Sequence, residues 1–341
     1  MINTLVIGYG FAAKTFHLPF LNYLSEFQIC GFVSSQSEQI QQDYPAVAVF
    51  NDLQDALEAC QPDLVIVTTP NHLHAPQTEA ALKAGAHVLV EKPFTLSSAE
   101  AEALVALANQ QHKKLCVFHN RRFDGDFLTL KQLIAKNELG EIKRFESRFD
   151  RFRPEPKNRW RELAGPGSGI FWDLGPHLID QCLQLFGVPE AVSAEVETLR
   201  ADGQSTDLFE LRLHYADKIA YLGSSPFQAG PTLRFDLQGT KGSYRKFCLD
   251  PQEQQLKDGV AFHAPQWAQT IACEEGEYSS EKGTQLYPTL QGGYLSFYQQ
   301  LADAITNDGA LPADASTVTD VIRVIELAHK AAEQGQRILW S

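Results

Sequence analysis

Hydrophobic and polar positions along the first third of the chain alternate between two periods. Residues 4–7 are apolar or β-branched and stop at Gly8, whereas residues 11–24 carry apolar side chains at helical intervals. This predicts a strand, a tight turn and a helix. The alternation continues through "FQICGFVSS", a helix to Tyr44, "AVAVF", a helix from Asp52, "DLVIVTTP", a helix over 72–84 and "AHVLVEKP". The stretch "SSAEAEALVALANQQHKK", capped by Ser97 or Ser98, adds a helix before "LCVFHNRR". Apolar strands separated by amphipathic helices predict a parallel sheet covered on both faces. From Glu141 onward the pattern changes to longer runs of period two, "IKRFESRFDRF", "AVSAEVETL", "DLFELRLHY", "KIAYLGSS" and "LRFDLQGT". These predict an antiparallel sheet with one exposed face. Two helices, over 293–306 and 314–334, close the chain. The expected division is a dinucleotide-type α/β domain over 1–120 and an α+β domain with a large open, mainly antiparallel sheet over 121–341.

Composition narrows the class. A length of 341 residues suits about two domains, and 44% hydrophobic residues supply a core for each. The net charge of −13 argues against nucleic acid or an anionic membrane surface as a partner, since either needs basic patches. No apolar run approaches a membrane span, and the start lacks the organisation of a secretory signal; a cytoplasmic protein is expected. The six cysteines, Cys30, Cys60, Cys116, Cys182, Cys248 and Cys273, form no C-x-x-C pair and read as reduced thiols.

The turn "GYGFAA" has the form of a dinucleotide site. Gly8 permits the turn, Gly10 lets the backbone approach a pyrophosphate, and Ala13 lets helix and strand pack closely. The phosphates then face a helix N-terminus. Glycines also occupy ordinary strand-to-helix turns, so the pattern gains weight from opening a series of βα units. The end of the second strand carries Ser34 and Ser35 rather than the acid that would hold a ribose 2′-OH and repel a 2′-phosphate. NADP(H) is therefore favoured and NAD(H) allowed, with Lys14 as the nearest candidate cation.

Other residues carry candidate chemistry. Lys92 follows a strand end, where an open parallel sheet binds ligands and an amine can act on a substrate oxygen; taken alone, such a lysine is more often a solvated surface charge. Pro93 holds that turn in either isomer. Asp173, His177 and Asp180, spaced i, i+4 and i+7, share one face of a helix whose other face is Leu174, Leu178, Cys182 and Leu185. Asp173 also reads as an N-cap with Pro176 in the first turn. Asn71 reads as a helix cap, and His72 with His74 lacks the further ligands a metal needs. His119, Asn120, Arg121 and Arg122 follow the last parallel strand, as substrate contacts or as a polar turn. Among Arg148, Arg151, Arg153, Arg159 and Arg161 most suit ion pairs, while Arg159 beside Trp160 suits a polyhydroxylated ring.

Four motifs, "GYGFAA", "TPNHLH", "EKP" and "GSGIFWDLGPHLIDQCLQLFG", stand in the order and spacing of the Gfo/Idh/MocA family of nicotinamide-dependent oxidoreductases, which the chain resembles over its whole length. "FHNRRFD", "FDRFRP" and "RWRE" further resemble the branch with NADP-linked scyllo-inositol dehydrogenases. The resemblance implies that Lys92, Asp173 and His177 form the catalytic group. It implies a cofactor held by Gly8, Gly10, Phe11, Ala12, Ser34, Ser35, Thr69, Pro70, Asn71, His74, Glu91 and Lys92. A sugar or cyclitol would meet Lys92, His119, Asn120, Arg122, Arg159, Trp160, Asp173 and His177. It also implies a homodimer or homotetramer through the open sheet, with Phe209 and Tyr221 on that face. The expected reaction is reversible oxidation of a secondary alcohol; the alternatives are a redox-assisted glycosidase of the same family and a non-catalytic dinucleotide-binding regulator.

Overall fold

The computed structural model describes residues 1–340, which divide into two compact units. The first unit contains β1 (Ile2–Ile7), α1 (Leu18–Tyr23), β2 (Phe27–Val33), α2 (Ser37–Asp43), β3 (Ala48–Phe50), α3 (Leu53–Cys60), β4 (Leu64–Val67), α4 (His74–Lys83), β5 (His87–Val90), α5 (Ser98–Gln110) and β6 (Leu115–Val117). Its strands form a parallel sheet in the order β3-β2-β1-β4-β5-β6. The order reverses between β1 and β4, which places a crevice at their carboxyl ends. Leu5, Val6 and Ile7, Leu64 to Val67, and Val88 to Val90 are all buried, as strands covered on both faces require. Caps start the helices: the Asp52 carboxylate accepts the N–H groups of Gln54 and Asp55, and the Ser97 hydroxyl accepts that of Glu100.

Two local readings need correction. The helix expected over 11–24 contains a π turn at Ala13–His17, where the Leu18 N–H bonds the Ala13 carbonyl. Pro19 then has no N–H to offer the preceding turn, so the ladder restarts as α1. Asn71 does not cap α4. It lies inside a 3₁₀ turn, Asn71–Leu73, whose own cap position is Pro70.

In the second unit α6 (Gly125–Ala135), β7 (Ile142–Arg148), α7 (Ile170–Phe186), β8 (Ala191–Glu197), β9 (Leu208–His214), β10 (Ile219–Ser224), β11 (Leu233–Gly239) and β12 (Ser243–Phe247) follow in sequence. The later elements are α8 (Gln252–Lys257), β13 (Gly276–Ser280), β14 (Gly283–Tyr287), α9 (Tyr294–Thr306), α10 (Thr319–Gln334) and β15 (Ile338–Leu339). The sheet order is β14-β13-β12-β11-β7-β10-β9-β8-β15, antiparallel except where β7 meets β10. Phe209 is not on its open face. It is buried against Phe171 of α7, with ring centroids 4.9 Å apart, because strand parity turns Phe209, Leu211 and Leu213 inward together. Tyr221 does project to the other face, where the guanidinium groups of Arg144 and Arg212 lie 4.7 and 5.4 Å from its ring.

A single boundary at residue 120 does not describe the units. Glu253–Phe262 and Tyr294–Thr319 belong with the first. The reason is aromatic: Phe297 of α9 meets Phe118 at 5.1 Å, and Tyr298 stacks on Phe20 at 4.7 Å. Among the described residues no helix is long and apolar enough to cross a membrane.

Candidate active site

The glycine turn is built by two different demands. Gly8 has φ +94°, and a Cβ there would lie 2.6 Å from the Thr68 hydroxyl at the end of β4, so strain and close approach both require glycine. Gly10 has neither constraint. A Cβ at Gly10 would meet no protein atom within 4 Å. The fold does not need this glycine, but a phosphate approaching the backbone would. Ala13 is fully buried, which lets the helix lie close on the sheet. Phe11 is exposed and contacts Phe16 edge to face, while Ala12 takes the cap position of the π turn.

At the end of β2 the Ser34 hydroxyl accepts the Gln36 N–H, and Ser35 is exposed. The Lys14 ammonium lies 4.2 Å from the centre of the Tyr9 ring, whose hydroxyl donates to Asp43 at 2.6 Å. Burial, together with that acceptor, raises the Tyr9 phenol above its usual range. The hydrogen bond from Tyr9 is the main cause that lowers the Asp43 carboxyl.

The exits of β4 and β5 are tied by His74. Its Nδ1 lies 2.7 Å from the Pro93 carbonyl and its Nε2 2.9 Å from the Thr69 carbonyl. The Thr69 hydroxyl donates to Gln77. His74 is 1% exposed, and burial lowers its pKa despite those acceptors. Glu91 is also turned inward. One carboxylate oxygen lies 3.0 Å from Nε2 of His17, the other accepts the Lys92 N–H, and the far side of the His17 ring meets the Tyr298 hydroxyl at 2.9 Å. Burial alone would raise the Glu91 carboxyl, but the His17 hydrogen bond and the charges of His17 and Lys92 hold it low. His74 and Glu91 thus both hold the backbone on either side of Lys92. Lys92 itself is half-buried and precedes Pro93 through a cis peptide bond. Pro70 is half-buried; Asn71 and His119 are buried.

In the second unit α7 starts at Ile170 behind Gly169, whose φ is +91° and where a Cβ would lie 2.8 Å from the Thr206 carbonyl oxygen, so a side chain is excluded. Asp173 is therefore in the first turn, not the N-cap, and its N–H bonds the Gly169 carbonyl. Pro176 lies in the second turn, inside the helix. The face shared by Asp173, His177 and Asp180 divides by depth: Asp173 is half-buried, His177 is buried, and Asp180 is locked to Arg122 by bonds of 2.6 and 2.9 Å. Arg122, expected at the substrate, is thereby a buried ion-pair partner, and Asn120 is buried beside it in sequence. The fork of Arg159 is directed to Glu162 at 2.6 Å. It is Arg161 whose guanidinium lies 4.7 Å from the Trp160 ring, with Trp160 37% exposed. Asp173 sits 3.8 Å from Arg161 in a cavity whose wall also includes Arg151, Arg153 and Arg200.

Two family models match the chain in succession. Residues 2–119 match the oxidoreductase family NAD-binding Rossmann fold, and residues 131–339 match the oxidoreductase family C-terminal alpha/beta domain, both of the Gfo/Idh/MocA type. The chain belongs to the Gfo/Idh/MocA family. It is 40% identical over 333 residues to the uncharacterized oxidoreductase YdgJ of Escherichia coli, covering 96% of this chain and 95% of that one. It is 37% identical over 340 residues to the scyllo-inositol 2-dehydrogenase (NADP(+)) IolW of Bacillus subtilis, covering 98% and 94%. The solved structure of the oxidoreductase YvaA from Bacillus subtilis superposes with a TM-score of 0.95 at 35% identity, covering 100% and 99%. The Gfo/Idh/MocA chain is accordingly an NAD(P)-dependent dehydrogenase with an NAD-binding domain at its start. The turn fits such a cofactor, because the open space over Gly10 admits a phosphate against the backbone.

Sequence reasoning did not find Tyr9, Asp43, His17, Tyr298 or Arg200. Only a sharp eye for buried polar residues would single out His17, which stands in an otherwise apolar stretch.

Proposed function

We propose that this protein is an NADP(H)-dependent dehydrogenase acting on a secondary alcohol of a sugar or cyclitol. The observation that carries the reading is the placement of Lys92 at the carboxyl end of β5, on the same sheet edge as the Gly8–Gly10 turn, with its backbone held by Glu91 and the His74 brace. When bound, the nicotinamide supplies the hydride acceptor in one direction and the donor in the other.

The chain's own groups supply the rest. Lys92 stabilises the oxygen of the reacting carbinol as it becomes an alkoxide. His177 accepts the hydroxyl proton and returns it in the reverse direction. Asp173 orients the substrate by accepting hydrogen bonds from its hydroxyl groups. Two features support NADP(H): β2 ends in Ser34 and Ser35 without an acid, and Lys14 sits over Tyr9 beside the turn. The likeness to an enzyme named as an NADP-linked scyllo-inositol 2-dehydrogenase supports a cyclitol or sugar.

The test is a screen of polyols, inositols and aldoses with NADP+ and NAD+, reading absorbance of the reduced cofactor. Turnover with a preference for NADP+ is expected. Release of an aglycone with no net NADPH overturns the dehydrogenase reading in favour of the glycosidase.

A further inference from the structure

Three short contacts run in series through His17 in the first unit. The Tyr298 hydroxyl of α9 lies 2.6 Å from the Phe16 carbonyl oxygen and 2.9 Å from Nδ1 of His17, and Nε2 of His17 lies 3.0 Å from one oxygen of Glu91. Each contact joins two electronegative atoms, so each needs a proton between them. The Phe16 carbonyl has none to give, and burial holds the Tyr298 phenol well above its ordinary range, so the one Tyr298 proton occupies the 2.6 Å contact. Nδ1 then donates to the Tyr298 oxygen. A neutral imidazole with its proton on Nδ1 offers only a lone pair at Nε2, and an ionised carboxylate likewise only accepts. The contact between His17 and Glu91 therefore carries one proton more than a neutral ring and a carboxylate supply.

We propose that His17 is a positioning residue of the dehydrogenase: as an imidazolium it cancels the charge of Glu91 and holds that carboxylate where its second oxygen fixes the Lys92 N–H. The inference rests on the reading of Lys92 as the group that acts on the reacting oxygen. Glu91 is the ionised partner, because burial works to raise its carboxyl and the His17 hydrogen bond overrides it. The second Glu91 oxygen accepts the Lys92 N–H at 3.1 Å, so whatever holds the acid also holds the backbone of Lys92. His17 and Tyr298 are fully buried, and the Phe118 ring lies 4.5 Å from the His17 ring, so solvent screens the pair little. The other titratable groups that act on these contacts are Lys92 and His74, at Glu91, and Cys116, at Tyr298. A neutral His17 would leave Glu91 an uncompensated buried charge next to the residue that bears the reactive amine.

The test reads the ring nitrogens of His17 directly. By nitrogen NMR of protein isotopically labelled at its histidine rings, with His17 identified by its proximity to Phe118, both ring nitrogens are expected to carry protons at neutral pH. A ring nitrogen without a proton overturns the proposal. Turnover reads the positioning. His17→Gln leaves Glu91 charged and unanswered, and is expected to lower kcat by up to about 100-fold with NADPH affinity within a few fold. Adding Glu91→Gln restores neutrality and is expected to recover most of that loss. A purely structural ring would make the double variant as slow as the single one or slower; that outcome, or a native kcat in His17→Gln, overturns the proposal and leaves the dehydrogenase reading intact. Should His17→Gln fail to fold, Glu91→Gln alone removes the counter-charge, and His17 is expected to keep a proton on one ring nitrogen only; two protons there overturn the proposal equally. Both nitrogens protonated in a native protein that oxidises no alcohol upholds the bridge and removes the dehydrogenase reading.

Discussion

The Glu91 carboxylate meets Nε2 of His17 at 3.0 Å, and through that ring the segment that carries Lys92 beyond β5 is joined to Tyr298 of α9. Both acid and imidazole are buried, so the contact replaces water that neither could keep. It fixes the residue before Lys92 without using Lys92 itself.

Stability should therefore fall in acid through Glu91. Its folded pKa is lowered below the unfolded value of about 4.5, so its contribution is complete above that value and is lost as pH falls through the folded pKa. Denaturant unfolding from pH 7 to pH 3 should show a steeper loss for the native protein than for Glu91→Gln. Parallel profiles would show that the pair does not couple folding to pH.

The two glycines of the turn should respond oppositely. Gly8→Ala forces a side chain to φ +94° and against Thr68, and should cost about 1–3 kcal/mol or more in unfolding free energy. Gly10→Ala should fold with nearly native stability and bind NADPH at least tenfold more weakly, read by fluorescence titration. Native affinity in Gly10→Ala would place the phosphates elsewhere.

Cofactor preference should turn on Ser34. The Ser34→Asp change introduces a carboxylate that bonds a 2′-OH and repels a 2′-phosphate, moving the NADP+/NAD+ ratio of kcat/KM toward NAD+. An unchanged ratio would mean that the adenosine end does not reach β2.

Lys92→Ala and His177→Ala should each lower kcat by about 10²–10⁴-fold, the usual range for acid–base groups, with NADPH affinity within a few fold. The double variant should lose far less than the product of the two losses, because both groups act on one proton transfer. Near-native turnover in Lys92→Ala would instead favour the regulator.

Arg122→Ala should act on folding. It leaves Asp180 buried without its bidentate partner, a change typically worth about 3–5 kcal/mol. A variant that unfolds at the native denaturant midpoint yet shows a raised KM would return Arg122 to the substrate.

Local pattern made the first sheet and its glycine turn legible, because strand, turn and helix signals lie within twenty residues of one another. Five strands of the second sheet, β7 to β11, were equally legible from their alternation, whereas "SYRKF" of β12 was missed although it alternates in burial. "GEYSS" and "GTQLY" were not legible, since neither alternates and both are half-buried or exposed for most of their length. The brace beside Lys92 was beyond reach for a different reason: its partners are 74 and 281 positions apart in the chain. The ion pairs of Arg122 with Asp180 and of Arg159 with Glu162 were not legible, because charge counting does not show which carboxylate the fold brings to a guanidinium.

The position of α9 also sets an order of events during synthesis. As the ribosome releases residues 1–119, the parallel strands can pair, but Phe20, Phe118 and the His17 ring still await Phe297 and Tyr298. Most of the second unit must leave the exit tunnel before those rings arrive. The nucleotide-binding half therefore completes its aromatic face only when residues near the end of the chain have been made.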